Sequence, residues 1–553
     1  MTAKKVLSFE QGADFYFAKY QRHLDRQQYA EALQALRTAV QKQPDNAEYA
    51  MDLARLYTEM DFYPESNYIL LNIFPQYPAY QEECLYGMGC NFFGMQDIEK
   101  AKECFDKVLK FYPNGVYSAD AADFFMYLEE EVEADSPLEK EDALLAEQGR
   151  GALDAGNAAK AMEIFRTLCE KYPDQMFLKN NLALAHYCAG EAERAIELSR
   201  QILLKDRHSP HALCNLLLFS RGIGDEHTVE QYRPLLAKAN CFEAEDDLKV
   251  ALTYCELGEH DKAYPLFQRA LEDIPYDYQA LYFAAACANN LGHNQEAEKY
   301  LGEMAKLWPE DSVVQYYLQQ IRLCRKEDRP LTMLYNCQVP EQEIQQRRVY
   351  LNRQFVLEDE ELQQVWQTEP KFYSLIKWGI DAGGEVARRM IVSVLGRIGD
   401  VRAQELLRKW LLRRQESDEI KQQILFALHR CGAQQPYVAY WSGKMTEVRL
   451  GDVAAEVPDT YDKVLELLIR LLGQLGQKSY LPNTIGLFSE FLKCFVRPPK
   501  LRHCGVWAAA LAAITLLHYE LPVTAEEVAE QLDVSIQSVT RAMRCIHNKL
   551  SEK

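Results

Sequence analysis

Between residues 13 and 311 the apolar and small positions recur every 34 or 35 residues, and a proline marks each return: Pro44, Pro78, Pro113, Pro173, Pro275 and Pro309. A small residue stands twelve positions before each of these, at Ala32, Ser66, Ala101, Ala161, Ala263 and Ala297. A second small set, Ala54, Gly89, Gly149, Ala183, Ala251 and Ala285, precedes a second-helix position by twelve. Small residues on two facing helices let the backbones approach closely, and the proline ends the second helix because it cannot continue one. Turn residues fall between the pair at Gly156, Gly190, Gly258 and Gly292. Large residues interleave at Tyr57, Phe92 and Tyr254 on first helices and at Phe105, Phe165 and Phe267 on second helices. The pattern predicts helical hairpins stacked one on the next.

The segment Ala251-Leu-Thr-Tyr254 through Gly258, Ala263, Phe267, Ala270 and Pro275 resembles the tetratricopeptide repeat position by position. Eight units are expected, beginning near Ala13, Ala47, Glu82, Asp142, Met176, Pro210, Ala244 and Tyr278. The unit from Pro210 has Thr228 and Leu235 in place of small residues and no closing proline, and is held by register alone. Residues 13–115 read as a first stack. Residues 116–141, with Glu129-Glu-Glu131 and Asp135-Ser-Pro137, read as an acidic segment between stacks, and residues 142–330 as a second stack closed by a helix from Ser312 to Lys326.

Beyond residue 330 the rhythm stops. Val386 to Val438 contains two helical themes with a turn at Gly399-Asp400 and is similar to HEAT-like repeats, so residues 331–450 are expected to be HEAT-like helices. Arg388, Arg389, Arg397, Arg402, Arg408, Arg413 and Arg414 lie mostly between its apolar positions, as on a solvated face. From Pro458 the chain changes again. Apolar helices are expected at Tyr461 to Leu475, Thr484 to Phe495 and Val506 to Leu517, with a break at Pro498-Pro499.

Thr524-Ala-Glu-Glu527 is a capping box opening a short helix, and Asp533-Val-Ser535 turns the chain into a second one, so residues 524–549 have the frame of a helix-turn-helix. Ala508 to Ala513, Thr524, Glu527 to Ala529, Val534-Ser535, Val539 and Arg541 make residues 455–553 resemble a cyclin-type repeat of the transcription factor IIB family. Here Asp533 replaces the usual turn glycine, and one unit stands where that family has two. The resemblance implies that Gln537, Ser538, Arg541 and Arg544 would face DNA if the second helix read it.

Charge bears on that implication. The net charge of -20 sits almost wholly in residues 1–330, with 34 basic and 55 acidic groups; residues 331–450 hold 17 against 15 and residues 455–553 hold 11 against 11. The front half therefore repels nucleic acid, and a nucleic-acid contact could come only through the C-terminal domain. The longest apolar stretch, Val506 to Leu517, is too short to span a bilayer, and the first residues lack an apolar core of signal-peptide length, so a cytoplasmic protein without membrane contact is expected.

Candidate chemistry is sparse. The 15 cysteines include no Cys-x-x-Cys pair and fall mostly at apolar helix positions such as Cys104, Cys188, Cys255 and Cys287; His186, His260 and His429 occupy ordinary helix positions. Neither a metal nor a cofactor is expected. With no phosphate loop, nucleophile elbow or paired-carboxylate site, the chain reads as non-enzymatic.

What the repeats would offer is the first-helix face. The position two before the small residue is Ala18, Asp52, Gly87, Glu147, Asn181, Asn215, Lys249 and Phe283 in successive units. Asn181 and Asn215 could each donate to and accept from a peptide backbone, with Lys249, Tyr282 and Phe283 supplying charge and an aromatic platform. The expectation is an all-α chain, a solenoid of helical hairpins followed by HEAT-like helices and a small helical domain. It would act as a scaffold or adaptor holding a peptide or protein partner, or else as a regulator whose C-terminal domain contacts DNA.

Overall fold

The computed structural model describes residues 11–131, 138–154, 156–327, 329–435, 437–441, 444–448, 460–477, 480–494, 499, 501–519 and 521–551. Asp135-Ser-Pro137, Pro458 and Pro498 lie outside them. Among the described residues the chain is all-α apart from one hairpin, and it divides into two compact units, residues 1–338 and 339–553.

In the first unit eight helical pairs follow the repeat: Ala13–Leu24 (α1) with Tyr29–Lys42 (α2), Ala47–Glu59 (α3) with Tyr63–Ile73 (α4), and Gln81–Gly94 (α5) with Ile98–Phe111 (α6). A single helix, Ser118–Glu131 (α7), packs on α6, its Phe124 stacked at 5.3 Å on Phe105. Then come Lys140–Asp154 (α8) with Ala158–Lys171 (α9), Met176–Cys188 (α10) with Ala192–Lys205 (α11), and Pro210–Gly222 (α12) with Glu226–Leu236 (α13). Ala244–Glu256 (α14) with His260–Asp273 (α15) and Tyr278–Asn290 (α16) with Asn294–Leu307 (α17) complete the pairs, before Ser312–Glu327 (α18).

Each hairpin turns through one residue in the left-handed region. Glycine fills that place at Gly156, Gly190, Gly224, Gly258 and Gly292, where the absence of a Cβ removes the steric cost; Gln27, Asp61 and Gln96 adopt the same conformation in the first three pairs. The small first-helix residues have a direct cause too. A Cβ on Gly89 would lie 2.5 Å from the Phe105 ring, and one on Gly149 would lie 2.7 Å from Phe165. The pair α12–α13 forms without its small residues because Thr228 is buried at that place and accepts a hydrogen bond from Arg200 Nη2 at 2.9 Å.

The first and last pairs also meet. Arg37 of α2 donates to the carbonyl of Leu307 at 2.6 Å, capping the end of α17 where unpaired carbonyls collect, and Lys306 pairs with Glu31 at 2.7 Å. Phe62 and Tyr278 pack on Trp308 from either side, with ring centroids 5.6 and 5.0 Å away.

The second unit holds Glu341–Phe355 (α19), Asp359–Thr368 (α20), Pro370–Ala382 (α21), Glu385–Ile398 (α22), Val401–Leu411 (α23) and Asp418–Arg430 (α24). The turn expected at Gly399-Asp400 is formed: Gly399 is left-handed and Asp400 caps α23 by accepting from Ala403 N at 2.8 Å. The expectation of helices throughout 331–450 is corrected at residues 437–448, where Tyr437–Trp441 (β1) and Lys444–Val448 (β2) pair antiparallel, Tyr437 opposite Val448. That stretch, Tyr437-Val-Ala-Tyr-Trp441, is rich in aromatic and β-branched residues, which suit a strand. The chain ends with Thr460–Gln474 (α25), Leu481–Lys493 (α26), Cys504–His518 (α27), Ala525–Gln531 (α28) and Ile536–Ser551 (α29).

Candidate functional site: the first-helix face of the repeats

Successive first helices α8, α10, α12, α14 and α16 touch one another, so their outward residues form one continuous face. Its character changes along the row. On α10, Asn181 is partly exposed, and the neighbouring Asn180 has a buried Oδ1 with no hydrogen-bond partner among the described residues. On α12, Asn215 is only 4% exposed, so its carboxamide is packed within the row.

Between α12 and α14 runs a polar chain. Lys249 Nζ lies 3.0 Å from His211 Nδ1, and His211 Nε2 lies 3.4 Å from Asp246 Oδ1. Burial holds the Lys249 ammonium below its usual value. Burial first, and the adjacent Lys249 charge second, do the same to His211. Asp246 and Glu245 oppose that lowering in both groups.

On α16 the expected aromatic platform exists and is already covered. Tyr282 is 0% and Phe283 6% exposed, because residues 331–338 of the same unit lie across them. Asn290 grips this segment in two directions: its Nδ2 donates to the Met333 carbonyl at 2.9 Å and its Oδ1 accepts from Met333 N at 3.0 Å. Asn289 Nδ2 donates to the Leu331 carbonyl at 2.7 Å, and the hydroxyls of Tyr317 and Tyr282 donate to the Gln338 carbonyl at 2.9 and 3.4 Å. Met333 is buried, and Tyr335 stacks on His260. The face therefore binds main chain outside regular secondary structure through side-chain amides at Leu331 and Met333, with a turn following at Tyr335-Asn336.

Asn289 and Asn290 were missed in the sequence although a signal existed. They follow Tyr282 and Phe283 by seven residues each, two helical turns along one face. Nothing comparable marked the occupant, a stretch between Pro330 and Pro340 that turns at Tyr335-Asn336.

In the second unit the arginine stripe is engaged within the protein. Arg388 pairs with Glu416 at 3.1 Å, Arg397 with Asp359 at 2.8 Å and Arg413 with Asp381 at 2.6 Å. Arg389 pairs with Glu385, Arg408 donates to the Gln434 carbonyl, and Arg402 and Arg414 lie over the rings of Tyr373 and Tyr440. The capping box on α28 is made in both directions, Glu527 N to Thr524 Oγ1 at 3.2 Å and Thr524 N to Glu527 Oε2 at 2.9 Å. Val528, Ala529 and Val539 are buried, while Gln537, Ser538, Arg541 and Arg544 are all exposed on α29. No helix among the described residues is long and apolar enough to cross a membrane.

Family models match three stretches: tetratricopeptide repeat over residues 17–59 and again over 83–115, and coatomer epsilon subunit over 151–241. The chain is 24% identical over 312 residues to the TPR repeat-containing protein YvcD of Bacillus subtilis (strain 168), covering 55% of this chain and 64% of that protein. It is 23% identical over 291 residues to the Protein CTR9 homolog of Arabidopsis thaliana, covering 51% of this chain and 24% of that one. The chain thus spans less than two thirds of either relative. Among solved structures, a thermophilic TPR protein of Thermus thermophilus, TTC0263, is 18% identical with a TM-score of 0.28, covering 33% of this chain and 99% of that one. The sequence matches and the 34-residue hairpins support a tetratricopeptide-repeat protein.

Proposed function

We propose that the chain is a non-catalytic scaffold that holds an extended segment of a protein partner on the first-helix face of its repeats, in the cytoplasm. One observation carries this reading: the face already holds main chain of the protein itself, Leu331 and Met333, through the carboxamides of Asn289 and Asn290. Asn181 and Lys249 continue the same face towards α10 and supply further side-chain groups able to hydrogen-bond a peptide main chain. The domain reading that goes with it has two tetratricopeptide stacks, HEAT-like helices and a cyclin-type C-terminal domain.

The test uses a displayed library of linear peptides selected against the full chain. Asn181→Ala with Lys249→Ala is expected to weaken the selected peptides by about tenfold, the loss of one or two hydrogen bonds, at an unchanged melting temperature. Unaltered affinity in that variant would sink the proposal. Asn215 is left intact, since its burial would mix a stability effect into the readout.

A second reading, DNA contact through α29, is favoured by the exposure of all four expected residues along its outer side. Titration of the full chain with mixed-sequence duplexes at low salt is then expected to show binding that Arg541→Ala with Arg544→Ala weakens and added salt removes. No anisotropy change at tens of micromolar would eliminate it.

A further inference from the structure

Under residues 331–338, four side chains that sequence reading left unconnected converge. Cys255 comes from α14, Cys287 from α16 and His260 from the first turn of α15; their ligand atoms all lie within 4.8 Å of one another. Both cysteines are buried, and Cys287 Sγ donates to the His260 carbonyl at 3.3 Å. The Tyr335 hydroxyl, carried by the covering segment, sits 3.0 Å from His260 Nδ1 and hydrogen-bonds with both thiols.

We propose that Cys255, Cys287 and His260, with the Tyr335 oxygen completing the set, bind a thiophilic divalent cation of the Zn2+ type that fastens the 331–338 segment to the repeats. Tetrahedral zinc has bonds of about 2.3 Å to sulfur and about 2.0 Å to nitrogen, which places neighbouring donors roughly 3.3–3.8 Å apart. Side-chain rotation of an ångström or less closes the present set onto such an ion. The chemistry balances: two thiols lose their protons to solvent, and the two thiolates neutralise the dication, so no net charge is left in a buried site. Three of the four groups come from three consecutive helices and the fourth from the segment, so the ion would add a cross-link to elements that already pack through ring contacts and hydrogen bonds.

Co2+ titration of the reduced full chain under anaerobic conditions tests this. The expected result is one equivalent bound, with a thiolate-to-cobalt charge-transfer band and tetrahedral d–d bands, both lost when Zn2+ displaces the cobalt. Cys255→Ser with Cys287→Ser should abolish the charge-transfer band and weaken binding by more than the ~100-fold that loss of a supporting group causes. Tyr335→Phe leaves the thiolates in place; it should keep the charge-transfer band and alter the d–d bands, and it serves as the test if the double variant does not fold. The absence of a thiolate band in the full chain, a band that persists without Cys255 and Cys287, or d–d bands unmoved in Tyr335→Phe would overturn the proposal. Loss of two titratable thiols as a Cys255–Cys287 disulfide in freshly reduced, metal-free protein would do the same.

Discussion

An Asn290→Ala, Met333→Ala variant, studied with chelator present, is expected to release residues 331–338 from α16 while the repeats stay folded. Removing the Asn290 carboxamide leaves the Met333 N–H and carbonyl without their partners, and each buried unpaired group costs about 1–3 kcal/mol. Truncating the buried Met333 costs about 2–5 kcal/mol more if the site cannot collapse. The whole sum will not appear as lost global stability, because the segment detaches once its own opening free energy is exhausted. The effect is therefore read locally. Amides of residues 331–338 should exchange roughly a hundredfold faster or more, while those of α14 and α15 remain protected. A synthetic peptide of residues 329–340 should bind in trans to a Met333→Ala single variant, which keeps Asn290, and not to the parent chain. Unchanged exchange in the segment would mean that these contacts do not hold it.

In the second unit the largest expected loss follows Trp410→Ala. Trp410 is fully buried on α23, and its indole Nε1 donates to Glu416 Oε2 at 2.7 Å. Glu416, itself buried, also takes Arg388 at 3.1 Å and the backbone N–H of Ser417 at 3.0 Å. Truncation opens a cavity of indole size, about 3–5 kcal/mol, and removes one of the donors that make the buried carboxylate tolerable. Trp410→Phe keeps much of the volume and loses only the donor, so about 1–3 kcal/mol is expected. Urea unfolding followed by amide exchange in α22 to α24 separates this unit from the repeats. A Trp410→Ala loss below about 1 kcal/mol would show that the cavity collapses and that Arg388 alone satisfies Glu416.

Much of the architecture could be read without coordinates. Met176, Pro210, Ala244 and Tyr278, taken as unit starts from spacing alone, are the first residues of α10, α12, α14 and α16. Asp400 and the Thr524–Glu527 box were legible as caps because a cap is a contact within three residues. The candidate site was legible only as a face. Spacing identified Tyr282 and Phe283 as its members but could not show them covered, since the covering segment begins nearly 50 residues later and carries no periodic signal. The arginine stripe failed for a related reason. Arg397 and Asp359 are 38 positions apart, and helical periodicity says which side a residue takes but not which carboxylate waits there.

The sequence by itself determined the hairpins, their turns and their order, because each is built from neighbours within one 34-residue unit and repetition multiplies a weak local signal. Only the tertiary structure decided what fills the first-helix face, which thiols meet His260, and that α2 closes against α17 across some 270 residues. Those contacts join positions with no fixed sequence spacing. Their partners are chosen by three-dimensional complementarity after the hairpins have formed, and no local pattern records that choice.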